Sequence, residues 1–400
     1  MIGGGIQCRR AIEIAKSYGY RVIVSDRRKD CECFDLADEF FCINGRDIEA
    51  LISAGLLMQE QNRLDGIFTF TELTTSVAAV SQALGLIGPG MQSSVLSQDK
   101  GQSKKIWLEK KISTPKGFLY QGKNDINNFA ENLQFPILIK PVVGSGGYGI
   151  KKINNLIELT EWNKKYGRFL NYQTRVVIEE CVMGPSYDVN GIFDKNGKFY
   201  PYGIVDRDFL QGKYVENSIM APTFLNKEKQ SELYKLLENS ARALGINKGP
   251  VKGDSIFTND GFKMLEIATR LHGPKFSLYA MPSVVNNYLK GLFSVITTGE
   301  FDEESTFRSN GMYFKSHIIP ADPGKIIKIS GLNDIKNKYK NIEVLQFKSV
   351  GDYLEISQSS HDAFGYLLAT ASTKEAAQEM IEKSISLISI STINSSATKA

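Results

Sequence analysis

Histidine is scarce in this chain: three in 400 residues, His272, His317 and His361. That scarcity, and the absence of a G-x-S-x-G turn, argues against a His-rich metal centre and a Ser-His-Asp triad. Five cysteines, Cys8, Cys31, Cys33, Cys42 and Cys181, complete no paired zinc cluster. They read as free thiols of a reducing compartment. No run approaches about 18 apolar residues, which excludes a membrane-spanning helix. The opening MIGGGIQCRR lacks the apolar core of a signal peptide. A cytoplasmic protein is the expectation. Charge of one sign is also missing: 48 Lys+Arg stand against 44 Asp+Glu, a net +4. This argues against a nucleic-acid-holding surface, and with no long apolar run no membrane partner is expected either. Any bound anion must be met by a local cluster of cations. With 42% hydrophobic residues, the chain is not disordered over most of its length.

What is present alternates strand and helix. Ile6 to Tyr18 has helical period, Tyr20 to Ser25 is a short buried strand, and Asp47 to Leu57 is a helix. Gly66 to Phe70 is a strand and Thr74 to Leu84 a helix. This rhythm predicts a Rossmann-like α/β domain over residues 1–98. Its first strand is at most two residues long, because Gly3-Gly4-Gly5 follows Met1-Ile2. Gly3-x-Gly5 with Asp26 only partly matches a dinucleotide fingerprint, since Cys8 takes the third glycine position.

From residue 99 the pattern changes to α+β. A Lys-rich helix (Lys100 to Lys111) precedes a strand, Phe135 to Lys140, that runs into a glycine-rich loop. Val176 to Glu180 is another strand. Hairpins are expected around Asn196-Gly197 and Asn259-Asp260-Gly261. Lys227 to Leu244 is an amphipathic helix, and Ser372 with Glu375 suggests a capping box near the end. The divisions expected are 99–185, 186–305 and 306–394, with a disordered tail at 395–400.

Three groups carry chemistry. Lys140, Gly144, Ser145, Gly146, Gly147 and Gly149 join a lysine at a strand end to a loop whose backbone N–H groups can close on phosphate oxygens. The lysine precedes the glycines, so this is not a Walker A loop. Asp254 and Glu266 lie on paired strands, where two carboxylates can hold Mg²⁺. Arg270 follows four residues later and can hold a carboxylate or a transferring phosphoryl group.

The order of these parts resembles the ATP-grasp superfamily, in the style of its carboxylate–amine ligases, with biotin carboxylase and the carbamoyl-phosphate synthase large chain more distant. The motifs are Asp99-Lys100, K-P-x-x-G-S-G-G-x-G, E-E-x-x-x-G and E-I-x-x-R. The resemblance implies a Rossmann-like pre-ATP-grasp domain, an ATP-grasp lid, a catalytic subdomain and a closing subdomain. It implies ATP and Mg²⁺ (two ions, with Mn²⁺ as a substitute) as cofactors. Lys100 and Lys140 match the phosphate-contacting lysines, and Gly144 to Gly149 the phosphate loop. Glu179, Glu180 and Val182 match the adenine hinge, Asp254 and Glu266 the metal ligands, and Arg270, with Lys140, the catalytic cations.

Two departures from the pattern matter. Ser186 replaces the usual ribose-holding Glu, for which Asp188 is a candidate substitute. Ala268 replaces an Asn and supplies no third metal oxygen. Arg207, Glu216 and Lys275 are candidate substrate contacts.

The resemblance implies an ATP-dependent ligase. It would activate a small carboxylate as an acyl phosphate and join it to an amine or ammonia, releasing ADP and phosphate. The alternatives are a carboxylase-type enzyme phosphorylating bicarbonate, and a nucleotide-binding protein with a weakened metal site. The expected partners are small-molecule carboxylates and amines. A homodimer is implied by resemblance alone.

Overall fold

The computed structural model describes residues 1–61, 63–122, 126, 133–144, 146–171, 174–303, 309–355 and 362–393. The N-terminal unit opens with two short parallel strands, β1 (Ile23–Ser25) and β2 (Glu39–Phe41). Ile2 bridges Ser25 on the other edge, and its N–H donates to the Phe68 carbonyl at 3.0 Å. The strand expected at 66–70 is held by this contact and not by a ladder. Helices Arg9–Ser17, Ile48–Glu60 and Thr74–Ala83 flank these strands, near their expected spans. Asp26 is not free for a ribose: its Oδ2 accepts the Gly4 N–H at 2.8 Å and closes the glycine loop on itself.

A four-stranded antiparallel lid sheet follows, built from β3 (Gly117–Tyr120), β4 (Ile137–Pro141), β5 (Lys151–Ile153) and β6 (Val176–Glu180) in the order β3-β6-β4-β5. Ile137, Ile139, Ile153 and Ile178 form its core with Leu159 of the helix Leu156–Tyr166. Strand alternation then puts Leu138 and Lys140 on the other face, opposite Glu179 and Val177.

The largest sheet holds eight strands in the order β11-β10-β7-β8-β9-β12-β16-β14. In chain order the remaining strands are β7 (Ser186–Phe193), β8 (Phe199–Phe209), β9 (Glu216–Ala221), β10 (Gly249–Thr258), β11 (Gly261–Ala268), β12 (Tyr313–Ile318), β13 (Gly324–Ser330), β14 (Ile342–Gln346), β15 (Tyr353–Leu354), β16 (Gly365–Ala371) and β17 (Ser389–Ile393). Within segment 306–394, β12, β14 and β16 continue the central sheet, and β13, β15 and β17 form a small sheet of their own.

The helix Lys227–Ala243 buries Leu233, Leu237 and Ala241 against Val189, Phe193, Val251 and Met264 on one face of the sheet. Because strand side chains alternate, Asp188, Asn190, Lys252 and Asp254 project from the opposite face. The helix Lys374–Ile385 is capped one residue later than expected, by Thr373, whose Oγ1 accepts the Ala376 N–H at 3.1 Å. Residues 395–400 lie outside the described residues, as do Ser145 and His361. Among the described residues no helix is long and apolar enough to cross a membrane.

Candidate active site

The face left open by the helices meets the underside of the lid, and two adjoining cavities lie there. The first is lined by Lys100, Lys140, Gly144, Gly146 and Gly147, with Glu179, Asp254 and Glu266 among its other walls. The second, of about 450 Å³, shares Asp254 and Glu266 and adds Arg207, Glu216, Arg270 and Lys275.

Lys100 reaches the first cavity because its helix, Lys100–Glu109, is aimed there. Asp99 caps that helix: its Oδ1 accepts the Gly101 and Gln102 N–H groups at 2.9 and 3.0 Å, and its Oδ2 takes Arg175 at 2.6 Å. The Lys100 N–H also donates to the Val142 carbonyl at 3.0 Å, which ties the helix to the end of β4. Lys100 Nζ then spans two parts of the cleft. It donates to the Gly144 carbonyl at 2.7 Å and lies 3.2 Å from Glu266 Oε2.

Beneath the cleft, Glu179 pairs with Lys140 and, at 2.9 Å, with Lys104. Lys104 is buried and also donates to Thr114 Oγ1 at 3.0 Å and the Pro115 carbonyl at 2.7 Å. Burial pushes the Glu179 carboxyl up, but Lys104 and Lys140 outweigh it and bring it down to about 2. Glu179, expected at the adenine edge, is therefore a fixed anion between two lysines. Glu180 and Val182 are absent from the cavity wall. The Val182 N–H donates to the Glu180 carbonyl at 3.1 Å in a local turn, so the hinge has no free donor there.

The carboxylate pair is assembled by register. Asp254 on β10 stands opposite Glu266 on β11, at a bulge between Asp254 and Ser255. Between them sits the buried Lys252, two residues before Asp254 on the same strand face. Its Nζ lies 2.7 Å from Asp254 Oδ1 and 2.6 Å from Glu266 Oε1. Burial raises the Glu266 carboxyl, and Lys100 and Lys252 overcome it to bring the value to about 2. Asp254 is held well below the usual carboxylate range, with burial opposing and Lys252 leading the stabilisation. An ammonium already bridging two ionised carboxylates shows that the pair is built to share a cation, so these residues fit Mg²⁺.

On the far side, Arg207 gathers three carboxylates: Asp188 at 2.9 Å, Asp254 at 3.1 Å and Glu216 at 3.3 Å. Lys275 pairs with Glu216 and places its ammonium 3.2 Å from the centroid of the Tyr366 ring. Asp188, the candidate ribose contact, lies apart from Ser186. Its buried carboxylate faces Arg207 and His272 in the second cavity, whereas Ser186 lines the first. Two residues along a strand share a face, yet Ser186 and Asp188 line different cavities.

Arg270 shows what the sequence concealed. Its NH2 meets Glu72 at 2.6 Å, and its NH1 donates to the Leu271 carbonyl at 2.9 Å. Glu72 belongs to the N-terminal unit, and Gly5, Ile6, Phe70 and Thr71 line the second cavity with it. The cleft is thus shared by the N-terminal unit and not confined to the two later ones. Lys104, Lys252 and Glu72 were missed as site residues, and His272 was read only as part of the stretch that leads to Lys275. For Lys252, period-2 alternation back from Asp254 was a usable signal; for Glu72 no local signal exists.

A family model described as an ATP-grasp domain matches residues 133–276, and a second, described as the L-amino acid ligase C-terminal domain 2, matches residues 317–392. Residues 133–276 belong to the ATP-grasp domain family. Among curated relatives, a D-alanine–D-alanine ligase from Buchnera aphidicola is 27% identical over 289 residues, covering 66% of this chain and 86% of the relative. A D-alanine–D-alanine ligase from Pseudomonas fluorescens is 28% identical over 189 residues, and the match spans only 56% of its length. An L-amino acid ligase structure from Bacillus licheniformis superposes with a TM-score of 0.80 at 20% identity, covering 98% of both chains. That likeness establishes the shared ATP-grasp fold across the whole chain.

Proposed function

We propose that this ATP-grasp protein activates the carboxylate of an amino acid and joins it to the amine of a second substrate. The class of reaction is ATP-dependent carboxylate–amine ligation, with ADP released. The observation that carries the amino-acid assignment is the second cavity, where fixed charges of both signs, Arg270, Lys275, Glu216 and Glu72, surround a space of about 450 Å³. Such a wall suits a zwitterion better than a simple acid, because each end finds a counter-charge.

The residues would act as follows. Lys100, Lys140 and the N–H groups of Gly144 to Gly149 hold the ATP phosphates. Asp254 and Glu266 hold Mg²⁺, which when bound offsets phosphate charge; a pair of ions is part of this reading. A carboxylate oxygen of the donor attacks the γ-phosphorus, the bond to the β-phosphate oxygen breaks, and ADP leaves. Arg270, steadied by Glu72, neutralises the resulting acyl phosphate. The amine then attacks the carbonyl carbon, loses a proton, and expels phosphate. Arg207 and Lys275 offer carboxylate contacts, and Glu216 an ammonium contact. Closure of the glycine loop excludes water that would hydrolyse the intermediate.

A screen of ADP release over the common amino acids, singly and in pairs, tests this reading. Expected is release with specific amino-acid pairs, and hydroxamate formation from the donor when hydroxylamine replaces the amine. Release driven by bicarbonate alone would replace it with the carboxylase reading. Tight ATP binding without turnover across the panel would leave only a nucleotide-binding role.

A further inference from the structure

We propose that His272, Asp188 and Asp254 form a site for a divalent transition-metal ion, with Mn²⁺ preferred to Mg²⁺, beside the Asp254–Glu266 pair. The three side chains offer Nε2 and two carboxylate oxygens within 4.8 Å of one another. His272 and Asp188 are 6% and 4% exposed, so neither group is merely solvated.

The decisive observation is how the imidazole is oriented. Asn190 Oδ1 accepts both the His272 backbone N–H and Nδ1, each at 3.0 Å. That amide cannot be turned over. Its Nδ2 donates to Tyr288 OH at 3.0 Å and Ser277 Oγ at 3.4 Å. Those hydroxyls are acceptors there because they spend their own protons elsewhere, Tyr288 on the Tyr202 carbonyl at 2.7 Å and Ser277 on the His272 carbonyl at 2.8 Å. Nδ1 therefore carries hydrogen, and Nε2 is the ring atom left to face the carboxylates. Nε2 faces two carboxylate oxygens, Asp254 Oδ1 at 3.0 Å and Asp188 Oδ2 at 3.5 Å. An ion placed between them would join all three atoms, taking the place of the Lys252 ammonium on Asp254 Oδ1.

The spacing fits an ion. Ligand atoms about 2.1 Å from one metal stand roughly 3.0–3.4 Å apart in octahedral or tetrahedral geometry. The other oxygens of Asp188 and Asp254 are held by Arg207 at 2.9 and 3.1 Å, which fixes the carboxylates with one oxygen each turned inward. A ring Nδ1–H bonded to an amide oxygen is the usual outer support of a metal-bound histidine. An imidazole ligand favours Mn²⁺ and later first-row ions over Mg²⁺, which takes oxygen ligands. Ala268 offers no oxygen on the Glu266 side, and the Asp188 and His272 ligands sit on the other side of the shared Asp254. Lys252 would leave Asp254 Oδ1 as the ion enters.

The test needs no substrate, so it stands apart from the ligase reading. Metal-free protein is titrated with Mn²⁺ in the absence of ATP, followed by electron paramagnetic resonance and calorimetry. Expected is one site at least tenfold tighter for Mn²⁺ than for Mg²⁺. Its electron spin-echo spectrum should show modulation from a directly bound ¹⁴N. His272→Gln should remove that modulation and weaken Mn²⁺ at least tenfold, and Asp188→Asn should weaken it while keeping the nitrogen signal. Mn²⁺ bound without ¹⁴N coupling in the unaltered protein, or no Mn²⁺ bound at all without ATP, would overturn the proposal. The spectrum of the unaltered protein decides this even where a variant fails to fold.

Discussion

Gly147 is where the phosphate loop touches the rest of the cleft most closely. Its φ is +81°, and a Cβ placed there would lie 2.3 Å from the Tyr214 carbonyl oxygen. Gly147→Ala therefore carries two costs. The left-handed backbone costs about 1–2 kcal/mol for a non-glycine residue. The overlap with a backbone oxygen, which cannot swing aside as a side chain can, adds on the order of 1–3 kcal/mol. A total of about 3 kcal/mol corresponds to roughly a hundredfold in ATP affinity if the loop must seat on Tyr214 when ATP is bound. Gly144→Ala is the internal control. Gly144 also has a positive φ, +149°, but a Cβ there meets nothing within 4 Å. Its cost is the backbone part alone, about tenfold. The assay is ATP affinity by calorimetry, with the thermal midpoint measured alongside. Expected is a near-unchanged midpoint for both variants and a clearly larger loss of ATP affinity for Gly147→Ala. Equal effects of the two substitutions, or no loss in either, would refute the docking of the loop on Tyr214.

Three other outcomes follow from the buried charges and thiols. The Glu179 carboxyl lies at about 2 against an ordinary 4.5, so it contributes stability that is complete above pH 4.5 and lost as pH falls toward 2. That shift corresponds to about 3 kcal/mol. Glu179→Gln should flatten the acid limb of a pH–stability profile by that order, and an unchanged limb would contradict the pairing. Lys252→Met should leave Asp254 and Glu266 facing each other without their cation. Destabilisation on the order of 2 kcal/mol is expected, reduced because Asp254 is partly exposed. Added Mg²⁺ should restore more of the melting temperature in the variant than in the parent. Burial pushes the Cys8 and Cys33 thiols up to about 12, each with a smaller part from neighbouring charges. With Cys31 also buried and Cys42 exposed, a thiol reagent at pH 8 should modify Cys42 quickly and these three only after unfolding.

The parts of the site legible in the sequence are those fixed by strand geometry over short spans. Lys140 and the glycines are contiguous, and Asp254 and Glu266 are joined by a hairpin whose Asn259-Asp260-Gly261 turn sets their register. Asp99-Lys100 was readable because a cap and its helix are local. Contacts between units were not. Glu72 reaches Arg270 across 198 positions, and His272 reads as an isolated residue until β7 brings Asn190 and Asp188 beside it. The lysine pairing of Glu179 was hidden for a related reason. Its partner Lys104 lies 75 positions earlier in sequence, and only the packing of the helix Lys100–Glu109 on the lid sheet joins them. Asp188 shows a limit of strand periodicity: it fixes a face, but not which cavity that face opens on.

Transfer of oxygen tests the acyl-phosphate chemistry most directly. A donor amino acid labelled with ¹⁸O in its carboxylate should pass one labelled oxygen to the inorganic phosphate for each amide bond formed, with ADP as the only nucleotide product. Unlabelled phosphate, or AMP in place of ADP, would contradict activation of the carboxylate at the γ-phosphate.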